Sequence, residues 1–172
     1  MDKPFISHRV YAWLPEKTHT LAIGESPPPG RKAGSLYNLD TFDRLRLSLK
    51  FILGIKGDKR VLEALRKQGV FITAAVKCRP PNRDSLKEMR KKCVKHLRAE
   101  ISLLQPKRIV AMGRMASASI CEIFNLEQPR SVRYPTKLEA KRTEIFFLPH
   151  PNYIFRFARE LAPVLRRLFR VS

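Results

Sequence analysis

Four short apolar runs, at residues 21–23, 71–76, 109–112 and 145–148, recur between stretches of helical periodicity, and this alternation leaves the chain few folds. Each run is too short for a core helix. Continuous burial without polar alternation is the pattern of strands covered on both faces, as in parallel sheets. The helical patterns between and after them span 39–55, 58–68, 84–104, 114–124 and 157–169. Strands alternating with helices predict a three-layer α/β/α fold around a central, mostly parallel four-stranded sheet. The 172 residues form one domain by length, 1–172, with no repeat, low-complexity tract or linker to divide them.

In the fourth helical pattern's predecessor, Asp84 is the expected N-cap, and Leu86, Met89, Cys93, Leu97, Ile101 and Leu104 share one face. Cys93 is therefore expected to be buried. The opposite face carries Lys87, Arg90, Lys91, Lys95 and Arg98, a basic stripe suited to solvent or to a phosphate backbone.

Charge narrows the function classes. The chain has 35 Lys+Arg against 15 Asp+Glu, a formal net charge of +20. Such an excess favours a polyanionic partner, and nucleic acid is the expected one. Thermophilic proteins are also rich in Lys and Arg, but they balance them with acids in ion-pair networks. No apolar run approaches a membrane span and Met1-Asp2-Lys3-Pro4 opens no signal pattern, so a soluble, intracellular, nucleoid-associated monomer is expected, with no membrane partner. Three cysteines, Cys78, Cys93 and Cys121, form no short-spaced pair and fit free thiols in a reducing compartment.

The candidate chemistry lies after the strands. Gly24-Glu25-Ser26-Pro27-Pro28 follows the first, a cationic Pro-rich loop from Lys77 to Arg83 follows the second, and Pro149-His150-Pro151-Asn152-Tyr153 follows the fourth. Parallel strands bring their carboxyl ends to one edge, where ligands bind in open α/β sheets. Glu25, the cationic loop and His150 are thus expected to converge over one crevice. No phosphate cradle, dinucleotide fingerprint or short-spaced metal motif is present.

The ordered set of these segments resembles the uracil-DNA glycosylase superfamily, most closely its thermophilic iron–sulfur branch. The likeness runs from Leu21 to Phe169. Lys77-Cys78-Arg79-Pro80-Pro81-Asn82-Arg83, with Glu88 and Cys93 beyond it, is similar to that branch's KCRPP-GNR segment. The stretch from Gln105 to Arg114 is similar to its strand-and-glycine segment, and His150 to Arg156 to its HPSYLLR loop. The resemblance implies a DNA glycosylase of base-excision repair, with duplex or single-stranded DNA as its partner, which flips a damaged nucleotide into a pocket and hydrolyses its N-glycosidic bond. It implies that Glu25 orients the attacking water and that His150 donates to the departing base. Tyr37, twelve residues after Glu25, falls near the stacking aromatic. Ile154 and Phe155 fall where an apolar wedge enters the base stack, and Arg79, Arg83 and Arg156 where phosphates are held.

Two departures from the pattern matter. Only Cys78 and Cys93 match the four cluster cysteines, so no iron–sulfur cluster and no cofactor is expected; a two-Cys, two-His metal site through His8 or His19 is the remaining alternative. The asparagine that reads the base falls at Ala74, whose methyl cannot hydrogen-bond a base edge. Thr73 and Ala75 point to the opposite face. Polar readout discriminates by ~10⁴ or more and apolar pockets by only about 10- to 200-fold. Ser26, Asn38 or Asn152 would therefore have to supply base recognition. The rival readings are a DNA-binding relative with little or no catalysis, and a basic α/β scaffold for RNA or protein.

Overall fold

The computed structural model describes residues 3–30, 34–140 and 142–170. Its centre is a five-stranded sheet of β1 (Thr20–Gly24), β2 (Val70–Ala74), β3 (Arg108–Met112), β4 (Thr136–Ala140) and β5 (Thr143–Leu148), in the spatial order β2-β1-β3-β5-β4. All neighbouring pairs are parallel except β4 with β5. The architecture expected from the sequence is present, with one strand more than the four expected. β4 alternates half-buried and exposed residues. An edge strand with one wet face has no continuous apolar run to betray it.

The helices are α1 (Pro4–Ser7), α2 (Arg44–Leu53), α3 (Asp58–Lys67), α4 (Leu86–Leu104), α5 (Arg114–Phe124), α6 (Pro151–Phe157) and α7 (Ala162–Leu168). Side chains alternate across each strand, so the sheet serves two cores. Ala22, Ile72, Val110 and Leu148 meet Leu49 and Ile52 of α2, Val61 and Leu65 of α3, Ile154 of α6 and Leu165 of α7. Leu21, Ile23, Phe71, Ile109 and Phe147 meet Val10, Leu97 of α4 and Ile120 of α5 on the other face.

Several boundaries differ from the sequence pattern, each for a local reason. α2 starts only at Arg44, because Asp43 caps it by accepting the Arg46 N–H at 2.8 Å, and stops at Gly54 in a left-handed turn. Asn82, not Asp84, organises the start of α4, accepting from the N–H and hydroxyl of Ser85 at 3.0 and 2.8 Å. The last helical pattern splits: α6 ends at Ala158, a 3₁₀ turn covers Arg159–Leu161, and α7 restarts with Pro163 in its first turn. Proline fits there because its missing N–H would have no helical partner. The basic stripe of α4 is partly structural, since Arg90 pairs with Glu122 at 2.7 Å and Arg98 donates to the Ile123 carbonyl at 3.2 Å. Cys93 is half-buried.

A charged group inside the second face ties the N-terminal segment to the sheet. Glu100 of α4, 8% exposed, accepts from the Thr73 hydroxyl at 2.9 Å, the Tyr11 hydroxyl at 3.0 Å and the Lys77 ammonium at 2.7 Å. Burial holds the Lys77 pKa below its ordinary value, and the Glu100 carboxylate opposes that shift. Breaking such a pair strands a charge, at a cost of ~3–5 kcal/mol, whereas replacing both partners by apolar groups is far milder. Glu100→Ala is accordingly expected to lower unfolding stability by about that amount, and Lys77→Met with Glu100→Leu to recover most of it. Urea titrations of the two variants check this; equal losses in both would show that the ion pair is not what the site depends on.

Candidate functional site

The sheet order reverses at β1: the chain places β2 on one side of it and then returns to lay β3 on the other. The crevice at the carboxyl ends of β1 and β3 is therefore the switch point at which open α/β sheets bind ligands. Glu25 leaves β1 at that point, half-buried. Its backbone is fixed, because the β1–β2 ladder continues past both strands: Ala75 N–H donates to the Gly24 carbonyl at 2.9 Å and Val76 N–H to the Glu25 carbonyl at 3.0 Å. The Pro-rich loop beyond is laced to the exit of β2 as well, by Gly30 N–H to the Pro80 carbonyl at 2.9 Å.

His150 follows β5, the strand beside β3. Gly113, at the end of β3, has φ of +92° and donates to the Leu148 carbonyl at 2.8 Å; a Cβ there would lie 3.5 Å from the His150 Cβ. The positive φ is what favours glycine there, since a Cβ would meet His150 only in ordinary van der Waals contact. His150 caps α6, its Nδ1 accepting the Asn152 N–H at 3.2 Å. Burial pushes its pKa down from 6.5 to about 4, so the ring is neutral near pH 7. With Nδ1 an acceptor, the neutral ring carries its proton on Nε2 and is a donor there.

The expected base-contacting residues are deployed unevenly. Ala74 ends β2 directly opposite Gly24, 7% exposed and next to the acid's strand end. Thr73 and Ala75 do face the other core, Thr73 bonding Glu100. Tyr37 is tied to the outer edge of β2: its hydroxyl donates to the Ile72 carbonyl at 2.7 Å and accepts the Ile72 N–H at 3.3 Å, while its ring packs against Phe71. Burial raises the Tyr37 pKa far above its ordinary value. The loop carrying it is held from inside by Arg46, whose guanidinium donates to the carbonyls of Leu36 at 2.8 Å and Asn38 at 3.0 Å, and to that of Thr41. Asn38 Oδ1 accepts the Asp40 N–H at 3.2 Å within that loop. Ser26 donates to the Pro27 carbonyl at 2.9 Å, and Asn152 Oδ1 accepts the Ser48 hydroxyl at 2.9 Å, linking α6 to α2. An open cleft of about 500 Å³ beside Tyr37, Trp13 and His8 is lined by neither Glu25 nor His150.

The expected DNA contacts divide in the same way. Arg83 and Arg156 are exposed. Arg79 is not; it is 6% exposed, and its guanidinium donates to the carbonyls of Pro28 at 2.7 Å and Gly34 at 3.2 Å, pinning the loop that follows Glu25. Ile154 is fully buried, so it cannot serve as a wedge. The segment is helical rather than extended, and the helical period turns Pro151, Ile154 and Ala158 toward the core. Phe155 is half-buried against Phe51, the rings 5.2 Å apart edge to face. Phe157, 65% exposed and 5.4 Å from the Tyr153 ring, is the apolar side chain that α6 presents. The linear motif hides it, because only the helical period shows which side chains turn outward.

The residues do not fit a four-thiolate cluster. The chain has three cysteines, and the buried Cys121 lies on α5 with its thiol toward the Glu127 carbonyl at 3.7 Å. Among the described residues no three His, Cys, Asp or Glu side chains gather as metal ligands. His19 precedes β1, whereas Cys78 follows the opposite end of β2; His8 Nδ1 is bonded to the Ser35 hydroxyl at 2.8 Å. No helix among the described residues is long and apolar enough to cross a membrane.

A family model described as "Uracil DNA glycosylase superfamily" matches residues 12–169. The chain is similar to a "Type-4 uracil-DNA glycosylase" of Archaeoglobus fulgidus, 34% identical over 51% of this chain and 47% of that protein. It is similar to the "Type-4 uracil-DNA glycosylase" of Sulfurisphaera tokodaii, 30% identical over 78% of this chain and 60% of the relative. A "Type-5 uracil-DNA glycosylase" of Pyrobaculum aerophilum is 24% identical over 90% of this chain and 73% of the relative. The chain thus spans about half the length of the first curated relatives it matches.

The half-buried histidine, desolvated by the packing around it, makes stability depend on pH. Its native pKa of about 4 lies below the ordinary 6.5, so in that interval the unfolded chain binds a proton that the native protein does not. Its contribution is present above the upper value and is lost as pH falls toward the lower one, on the order of 3 kcal/mol in all. His150→Gln should flatten this part of the profile. Urea midpoints of wild type and variant at pH 7 and pH 4.5 test it, and an identical drop in both would exclude His150 as the source.

Proposed function

The chain belongs to the uracil-DNA glycosylase superfamily, and from that premise we propose that it is a DNA glycosylase hydrolysing the N-glycosidic bond of uracil or another damaged base. One observation carries the reading: a neutral histidine with a free Nε2 donor shares the sheet's switch-point edge with a half-buried carboxylate. In the flipped nucleotide the bond from the sugar carbon to the base nitrogen breaks, and its electron pair goes to the base. Negative charge then grows on the base oxygen, where the His150 Nε2–H stabilises it without having to lose a proton. Glu25 orients water toward the sugar carbon, stabilises its cationic character and takes the water's proton as the new C–O bond forms. We read the site as working without a bound cluster, and the exposed Arg83 and Arg156, with Phe157, as its contacts to DNA.

Glu25→Gln is expected to leave folding and DNA binding intact and to slow excision by ~10² to 10⁴. His150→Ala should likewise act on rate more than on affinity, because its interaction strengthens only in the transition state. Single-turnover release of uracil, hypoxanthine and xanthine from single- and double-stranded oligonucleotides tests both. Unchanged rates would remove these residues from the chemistry.

A second reading, a damage-binding relative with weak catalysis, is favoured by Ala74, whose methyl stands at the strand end where an amide would read the base. Ala74→Asn separates the two. In an intact catalytic pocket the new amide supplies one donor and one acceptor to a uracil edge. Uracil excision is then expected to rise relative to other bases, in a manner abolished by Glu25→Gln. A folded, DNA-binding variant with no gain would favour the binder.

A further inference from the structure

The order β2-β1-β3-β5-β4 lays the strand-end segments out in a row across the crevice. Arg83 stands in the loop after β2, Glu25 after β1, Arg114 after β3 and His150 after β5. The fifth member is the segment before β4. That strand is antiparallel, with Thr136 opposite Phe147, so the chain enters β4 at the same edge where β5 delivers His150. The bend at 132–134 therefore adjoins the histidine loop, displaced from it by one strand spacing of ~4.8 Å.

That bend has the chemistry of a nucleic-acid contact. Tyr134 is 75% exposed, and its ring meets no aromatic partner among the described residues. Arg130 and Arg133 are exposed and make no ion pair among the described residues, whereas Lys137, next along the strand, is already held by Glu144 at 2.7 Å and Glu139 at 3.3 Å. An exposed aromatic face with unpaired guanidiniums on the same segment is what stacking platforms for single strands use. Four strand spacings make the row ~19 Å wide, and a nucleic-acid strand advances ~3.4 Å per charge, so a strand laid along it extends several nucleotides beyond the one at Glu25 and His150.

We propose that the segment before β4 is the far wall of a DNA-strand groove: Tyr134 stacks on a base flanking the damaged nucleotide, and Arg130 and Arg133 hold the adjacent phosphates. This rests on the glycosylase reading of the same crevice but names a contact outside its chemistry. None of the three touches the reacting bond, so they set affinity and strand reach and leave the chemical step alone.

Fluorescence-anisotropy titrations with single-stranded oligonucleotides carrying one uracil test it, for wild type, Tyr134→Ala, Tyr134→Phe and Arg130→Gln with Arg133→Gln. Tyr134→Ala should bind about tenfold more weakly and Tyr134→Phe nearly as wild type, since the ring face is what stacks. The arginine pair should flatten the log affinity against log salt slope by about 0.7 per lost phosphate contact on single strands. Replacing the nucleotides that flank the uracil on both sides by abasic spacers, with the backbone length kept, should abolish the Tyr134→Ala difference. Wild-type binding with no effect of either variant would overturn the groove assignment and leave the glycosylase reading standing. Failure of the wild type to bind DNA would overturn the reading beneath it.

Discussion

The ladder between β1 and β2 does not end with the strands, and the site depends on that continuation. A carboxylate at the tip of a Pro-rich loop would ordinarily wander, and a water positioned by it would wander too. Here the Gly24 and Glu25 carbonyls accept the next two N–H groups of the chain leaving β2. The backbone of the acid is thereby part of the sheet although its side chain is beyond it. Arg79 extends the same device by one more turn, bridging from the β2 exit to Pro28 and Gly34. A catalytic or binding constellation needs its groups held on rigid elements by a supporting shell, and two loops laced together supply one.

Buried arginines do much of this work. Arg46, 1% exposed, gathers the carbonyls of the loop that carries Tyr37 and lies 3.1 Å from the Asp58 carboxylate. One planar guanidinium with five donors can organise several carbonyls at once, which a lysine cannot. Part of the basic excess is thus spent inside. With 35 bases and 15 acids, however, 20 cations have no acid to match them anywhere in the chain. These give the exterior its polyanion-seeking field.

The sequence made the parallel core legible because burial on both faces leaves unbroken apolar runs, and it made Glu25 and His150 legible because parallel strands must deliver their ends together. It misled where a residue's period was set by an element the pattern hid. Ile154 reads as a wedge in an extended loop, but once Pro151 starts a helix the 3.6-residue period turns it inward and Phe157 outward. Arg79 reads as a phosphate ligand because nothing in the sequence reveals that Pro28 and Gly34 will offer it carbonyls. β4 is legible only as a five-residue alternation in Thr136–Ala140, a pattern unlike the unbroken apolar runs of the doubly buried strands.

His150 also bears on the choice between an enzyme and a binder. A protein that only held DNA would gain from a cationic imidazole beside a polyanion, and an exposed histidine would provide one at mildly acidic pH. This fold does the reverse: it desolvates the ring until its pKa falls to about 4, giving up both a charge and acid stability. What remains is a neutral donor, aimed by the Asn152 N–H on its other nitrogen. Such a donor is poorly suited to phosphate but well suited to an oxygen whose negative charge exists only while a bond is breaking, because it stabilises that charge without binding the resting substrate more tightly. Ala74 bears on which base is held; the histidine bears on whether a bond is broken, and its environment argues for chemistry.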